Sequence, residues 1–175
     1  MKQEQVQVFQ RSLADPQQPL CAVLDGAAVP NLPARLTAAA VPHVCLLPGE
    51  IDTELAQVAP YLVQFAPDSA LAAQFISEGL GKHWGILIVS AAHFRSLRIH
   101  FRNLLTVWEF SGQPRYFRYY DPRVLRVYLP TCTAAELSDF FGPATAFYAE
   151  GDTPTALQRL FVSDGALIQQ TLQLA

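Results

Sequence analysis

Charge is scarce in this chain. Charged side chains make up 15% of its 175 residues, against about 25% in an ordinary soluble domain. Cysteine is scarcer: Cys21, Cys45 and Cys132 are the only three. An odd, widely spaced set supports neither a disulfide framework nor a CxxC metal or redox motif. No stretch approaches the 18 or so apolar residues of a membrane-spanning helix. Met1 to Leu13 mixes polar and apolar residues and lacks the apolar segment of a secretory signal. A cytoplasmic protein is therefore expected.

What remains is apolar. Hydrophobic residues reach 51%, enough for a generous core with apolar surface left over. Uncovered apolar patches usually mark a partner site. The net charge is −3, so non-specific nucleic-acid binding is not the default expectation. The charge is unevenly placed. Residues 95–126 hold seven arginines, no lysine and two carboxylates, a local charge of +5, while the rest of the chain carries −8. That distribution suggests a defined docking face.

The hydrophobic pattern alternates between strands and helices. Residues 4–11 suit a short edge strand or a loose arm. Leu20 to Leu24, Val44 to Leu47, Tyr61 to Phe65 and Gly85 to Val89 read as strands. Helices are expected over Pro30 to Ala40, from an Asp52 or Thr53 cap to Pro60, after an Asp68 cap, and over Ala92 to Asn103 with Ser90 as cap. Leu104 to Phe110 and Arg115 to Tyr120 flank a hairpin loop. Asp121 to Leu129 is helical, Thr133-Ala134-Ala135-Glu136 is a capping box, and Gly142-Pro143 ends the next helix. Ala144 to Ala149 suits an edge strand. Thr153-Pro154 and Asp164 open two terminal helices with Leu157, Leu160 and Phe161, then Leu167, Ile168 and Leu172, facing inward. The expected fold is α/β, a mixed and mainly parallel sheet flanked by helices. Residues 1–149 would form the domain and 150–175 a helical extension packed on it.

No catalytic constellation converges. Gly79-Leu80-Gly81-Lys82 lacks the spacing and the Ser/Thr of a phosphate loop. Ser90 and His93 could serve a small hydrolase, but the nucleophile-elbow pattern is missing. His93 with His100, and His43 with Cys45, share faces without zinc-site spacing. No metal or cofactor is expected. Arg95, Arg98 and Arg102 line one side of a helix at i, i+3, i+7. They form either a solvated face or a stripe for an acidic partner, since guanidinium groups fork onto carboxylates. Trp108 is either a core residue or an interface anchor.

The densest signal is Phe117-Arg118-Tyr119-Tyr120-Asp121-Pro122-Arg123. Alternation over 117–120 predicts a strand, and Asp121-Pro122 reads as a helix cap and first helical residue. Arg118 is expected to pair internally with Asp25 or Asp121.

Six blocks occur in order: Leu20 to Ala27, Ala59 to Val63, Trp84 to Ser90, Leu97-Arg98 with Phe101-Arg102, Phe117 to Leu125, and Phe140 to Pro143. Together they resemble the bacterial type VI secretion effector chaperone, or adaptor, family. The resemblance implies a non-enzymatic role. Such proteins bind a toxic effector in the cytoplasm and load it onto the VgrG spike. Asp25, Arg118, Asp121 and Pro122 match the motif and read as fold-defining. Arg95, Arg98, Arg102 and Trp108 are the candidate partner contacts. Many relatives carry a larger C-terminal lobe; here its effector contacts are either missing or supplied in reduced form by the two terminal helices. The alternatives are the Ser90/His93 hydrolase and a homo-oligomer that hides the same apolar surface.

Overall fold

Six consecutive buried residues, Leu20-Cys21-Ala22-Val23-Leu24-Asp25, form the strand around which the molecule is built. Successive strand side chains point to opposite faces. Leu20, Ala22 and Leu24 enter one core, and Cys21 and Val23 enter the other. Both faces are therefore covered, which is why the run is apolar throughout. Cys21 is fully buried, and burial pushes its thiol up to about 12. It behaves as a small core hydrophobe.

The computed structural model describes residues 18–109, 111–153 and 155–174. The elements run β1 (Leu20–Asp25), α1 (Leu32–Ala38), β2 (His43–Cys45), α2 (Thr53–Val58), β3 (Pro60–Gln64), α3 (Ala70–Gly79), β4 (Gly85–Val89) and α4 (Phe94–Asn103). They continue with β5 (Thr106–Trp108), β6 (Pro114–Tyr116), α5 (Pro122–Tyr128), α6 (Ala134–Phe141), β7 (Ala146–Glu150), β8 (Ala156–Ser163) and β9 (Ala166–Gln173). The edge strand expected over residues 4–11 lies outside the described residues. Among the described residues, no helix is long and apolar enough to cross a membrane.

Seven strands form one sheet in the order β2-β3-β1-β4-β7-β8-β9, and β5-β6 is a separate ribbon. Helices α1 and α3 supply Leu32, Leu36, Phe75 and Ile76 to one core. Helices α4, α5 and α6 supply Leu97, Phe101, Leu125, Leu137 and Phe140 to the other.

The expected mainly parallel sheet is not what forms: every pairing in the main sheet is antiparallel. The reason lies in the crossovers. Strands β1 and β2, joined through α1, run the same way, but β3 lies between them. Likewise β3 and β4, joined through α3, run the same way with β1 between them. Strand–helix–strand alternation is the same in sequence whether or not a third strand is inserted. The inserted strand makes each neighbour antiparallel.

The expected helical C-terminal extension is also corrected. Residues 156–173 form the β8–β9 hairpin, which continues the sheet. Asp164 and Gly165 have φ of 52° and 76°, the conformation of a two-residue hairpin turn. Leu157 and Leu160, at helix-like spacing, lie on opposite faces of β8, one in each core. A strand covered on both sides accepts the spacing that suggests a helix. The division expected after residue 149 falls inside β7, which is an interior strand rather than an edge.

Smaller expectations shift for similar reasons. Ser69, not Asp68, caps α3, its side chain accepting from the Ala72 N–H. His93 occupies the cap position of α4. Thr133 and Glu136 form the expected capping box of α6. Tyr119 and Tyr120 lie in a turn, not a strand, closed by the Asp121 N–H donating to the Arg118 carbonyl at 3.0 Å.

Gly142 ends α6 at φ 48°, ψ −115°. A Cβ there would stand 2.4 Å from Cε1 of His100. That imidazole is itself held, with Nε2 donating to the Phe140 carbonyl at 2.9 Å. Gly142→Ala is expected to lower stability by about 2–4 kcal/mol, combining left-handed backbone strain with overpacking. Denaturant unfolding of the two proteins measures it; an unchanged midpoint would refute this account of the α6 terminus.

Candidate functional site

The β5–β6 ribbon stands apart from the main sheet, and three apolar side chains on it face solvent. Trp108 is 69% exposed, Tyr116 52% and Val107 40%. The register pairs Thr106 with Tyr116 and Trp108 with Pro114. Residues two apart share a face, so Trp108, Pro114, Tyr116 and Thr106 are all on one side. That side opens on a groove of about 640 Å³ whose lining includes Leu47, Pro48, Asn103 and Leu105. Exposed aromatics beside such a groove have the composition of an interface centre rather than of ordinary surface.

The ribbon is anchored by the Arg118–Asp121 junction. Asp25, at the end of β1, has its side chain only 2% exposed. Its Oδ2 accepts from Arg118 Nη2 at 2.5 Å, and its Oδ1 accepts from the Ala27 N–H at 2.9 Å. The same Arg118 nitrogen lies 4.0 Å from Asp121 Oδ2. Arg123 then forks onto Asp121, with Nε to Oδ1 at 2.9 Å and Nη2 to Oδ2 at 2.7 Å. The Arg123 backbone N–H completes the helix cap at 3.0 Å. Pro122 occupies the first turn of α5, where its missing N–H is not needed. Burial raises the Asp121 carboxyl, but the Arg123 hydrogen bonds and the charges of Arg123 and Arg118 outweigh it and hold the group below its ordinary value.

The two tyrosines of the motif do different work. Tyr119 is fully buried, donates its hydroxyl to the Phe101 carbonyl at 2.8 Å and stacks on the Phe101 ring. Tyr120 is also buried, and its hydroxyl lies 3.2 Å from that of Tyr116 on the ribbon. Partial burial at its hydroxyl end, followed by the Tyr120 hydroxyl, pushes the Tyr116 phenol far above its ordinary value. One turn thus binds the ribbon to α4 on one side and to β1 on the other.

The arginine stripe does not survive as a unit. Arg102 turns inward, its Nε donating to the Leu46 carbonyl at 3.1 Å and its Nη2 to Leu47 and Cys45 at 3.1 and 3.3 Å. It pins α4 to the chain leaving β2. Elsewhere, Arg115 pairs with Glu109 and Arg126 with Asp152. Of the seven arginines in the basic window, only the exposed Arg95 and Arg98 have no acidic or carbonyl partner among the described residues. The local +5 is largely spent on internal contacts, some to carboxylates that the sequence window does not contain, such as Asp25 and Asp152.

Ser90 and His93 do not meet as nucleophile and base. Ser90 is fully buried, its hydroxyl donating to the Pro143 carbonyl at 2.6 Å and accepting from the Ala92 N–H at 3.1 Å. His93 is exposed at the start of α4. His43 directs Nδ1 to the Val41 carbonyl and His100 is committed to Phe140. The sequence reading missed the His83–Glu150 pair. The buried Glu150 accepts from His83 Nδ1 and from the His83 N–H, both at 2.7 Å. These residues are 67 apart in the chain, and no local spacing could announce them.

The fold and site define an α/β protein with a sheet whose inner strands are covered on both faces and an exposed aromatic ribbon held at one sheet end. Residues 20–139 match the family described as Domain of unknown function (DUF4123), and the chain belongs to that family. This family is associated with type VI secretion effector adaptors. The match includes Asp25, Arg118, Asp121 and Pro122 and ends within α6, before β7 to β9. No curated protein and no solved structure matches the chain.

Removing Arg118 leaves the Asp25 carboxylate buried without its charged partner. Arg118→Met is expected to cost about 2–3 kcal/mol, the low end for a broken buried pair because the arginine is half exposed. Asp121 adds a pH dependence. Its folded-state value lies below its unfolded one, so the folded state binds fewer protons in that range. Its contribution is present above about pH 4 and is lost as pH falls through the depressed value. Asp121→Asn should therefore flatten the acid limb of a stability–pH curve; an unaltered limb would count against the pairing.

Proposed function

We propose that this protein is a non-enzymatic adaptor that binds a type VI secretion effector in the cytoplasm and loads it onto the VgrG spike. The observation that carries the reading is Trp108. A tryptophan left 69% exposed, on a ribbon that needs a buried ion pair to hold it in place, suits a partner anchor better than a core residue. Tyr116 and Pro114 extend the same face, and the groove beside it offers a seat for an apolar segment. Arg95 and Arg98 lie on α4, the helix that leads into the ribbon, and suit acidic side chains flanking that segment. Membership in a family associated with effector adaptors supports the same conclusion. Neither nucleic acid nor membrane is needed as a partner.

The hydrolase reading draws no support from the site. A nucleophile must present its oxygen to substrate beside a general base. The Ser90 hydroxyl is buried and already holds Pro143 and Ala92.

Trp108→Ala should weaken binding to the co-expressed effector about 30-fold, the loss expected when an interface anchor of about 2 kcal/mol is truncated. Its thermal unfolding should match wild type, because the side chain packs little within the monomer. Arg95→Glu with Arg98→Glu should weaken binding further, again without change in the melt. Ser90→Ala and His93→Ala should leave effector binding intact. Wild-type affinity in Trp108→Ala would sink the ribbon as the docking face. Ester turnover abolished by either Ser90→Ala or His93→Ala would replace the adaptor with an enzyme.

A further inference from the structure

Strand β9 closes one side of the seven-stranded sheet, and among the described residues nothing pairs with its outer edge. Its sequence, Ala-Leu-Ile-Gln-Gln-Thr-Leu-Gln, contains no charge and no proline. Its register with β8 runs without a bulge from Ser163↔Ala166 to Ala156↔Gln173. Sheet edges are normally blunted by charge, proline, bulges or brevity. The opposite edge, β2, follows that rule: it is three residues long and lies between Pro42 and Pro48. β9 uses none of these devices.

The backbone fixes which groups are free. The tight Asp164-Gly165 turn makes Ser163 and Ala166 a hydrogen-bonded pair. At the far end, the Leu174 N–H donates to the Thr155 carbonyl at 2.8 Å, which sets the same parity. Ala166, Ile168, Gln170 and Leu172 therefore turn their amides toward β8. Leu167, Gln169, Thr171 and Gln173 turn theirs outward.

Those outward groups match themselves. Consider a second copy of β9 laid antiparallel, with a two-fold axis at Gln170. Leu167 then faces Gln173 of the second copy, and Gln169 faces its Thr171. All four outward residues fall in hydrogen-bonded pairs, giving about eight backbone bonds. Between them, Ile168 faces Leu172 of the second copy, apolar against apolar. Gln170 faces its own equivalent on the axis. Its Oε1 already accepts from Arg159 at 3.2 Å, and its amide nitrogen remains to donate across the axis. No charges are set against each other. A second copy of β9 in this register satisfies every outward amide, sets Ile168 on Leu172 and places no like charges opposite one another.

We infer that this protein forms a homodimer through β9, the two sheets joining edge to edge about a two-fold axis at Gln170. A closed interface of this kind uses one patch twice and leaves the β5–β6 ribbon of each copy outside the contact.

Sedimentation equilibrium of the full chain over a wide concentration range tests the assembly, with a monomer–dimer equilibrium expected. Amide exchange should report the site. Protection of Leu167, Gln169, Thr171 and Gln173 should rise at least tenfold from dilute to concentrated protein, while Ile168 and Gln170 change less. Gln169→Lys with Thr171→Lys sets like charges face to face, as does Gln169→Glu with Thr171→Glu. Each double variant should be monomeric, and their equimolar mixture should recover a dimer. If either variant fails to fold, Thr171→Pro takes its place, deleting one outward N–H without touching the β8 ladder. A wild-type protein that stays monomeric would overturn the inference. So would a dimer that survives these substitutions, or edge amides protected only when a client protein is added.

Discussion

A carboxylate at the end of a central strand cannot remain buried alone. Asp25 closes β1, the strand around which both cores are assembled, and Arg118 reaches it from 93 residues downstream. Desolvating a carboxylate costs several kcal/mol unless a partner offsets it, so the position of Asp25 dictates that of Arg118. Because Arg118 sits in the turn between β6 and α5, fixing its guanidinium also fixes the aromatic ribbon before it and the helix after it. Asp121 repeats the arrangement one turn on, capping α5 with its backbone contact and holding Arg123 with its oxygens. The site is therefore a consequence of how one buried charge is satisfied.

The same logic accounts for where the arginines of the basic window go. Most arginines in the basic window are used to tie elements together: Arg102 joins α4 to the chain after β2, and Arg126 reaches Asp152 beyond β7. A charge tally along the sequence counts each of these as available to a partner. In the folded molecule the β5–β6 ribbon exposes Trp108, Tyr116 and Val107, and Arg95 and Arg98 stay exposed on α4. Recognition by such a face relies on burying large rigid side chains, with polar groups setting orientation.

The topology places the two surfaces at different parts of the molecule. The ribbon belongs to the α4–α5 connection and is fastened at the β1 end. Strand β9 lies at the margin of the sheet, four strands away from β1 in the order of pairing. A protein assembled through β9 would present two ribbons, and avidity between linked sites raises binding without any new contact.

The sequence by itself determined what is local. The β1 and β4 runs, the Thr133–Glu136 capping box, the Asp121-Pro122 helix start and the Gly142 stop depend on neighbours a few residues away, and the chain spells each of them. Arg118 could be assigned an acidic partner from its apolar surroundings alone, with Asp25 among the candidates. Only the tertiary structure decided strand direction, since an inserted β3 or β1 leaves no mark on the segment it interrupts. It also decided that Leu157 and Leu160 belong to a strand, because their spacing fits a helix face and a two-sided strand equally well. The inward turn of Arg102, the His83–Glu150 pair and the exposure of Trp108 were settled there too. Each depends on which distant elements pack nearby, and burial is a property of the assembled chain.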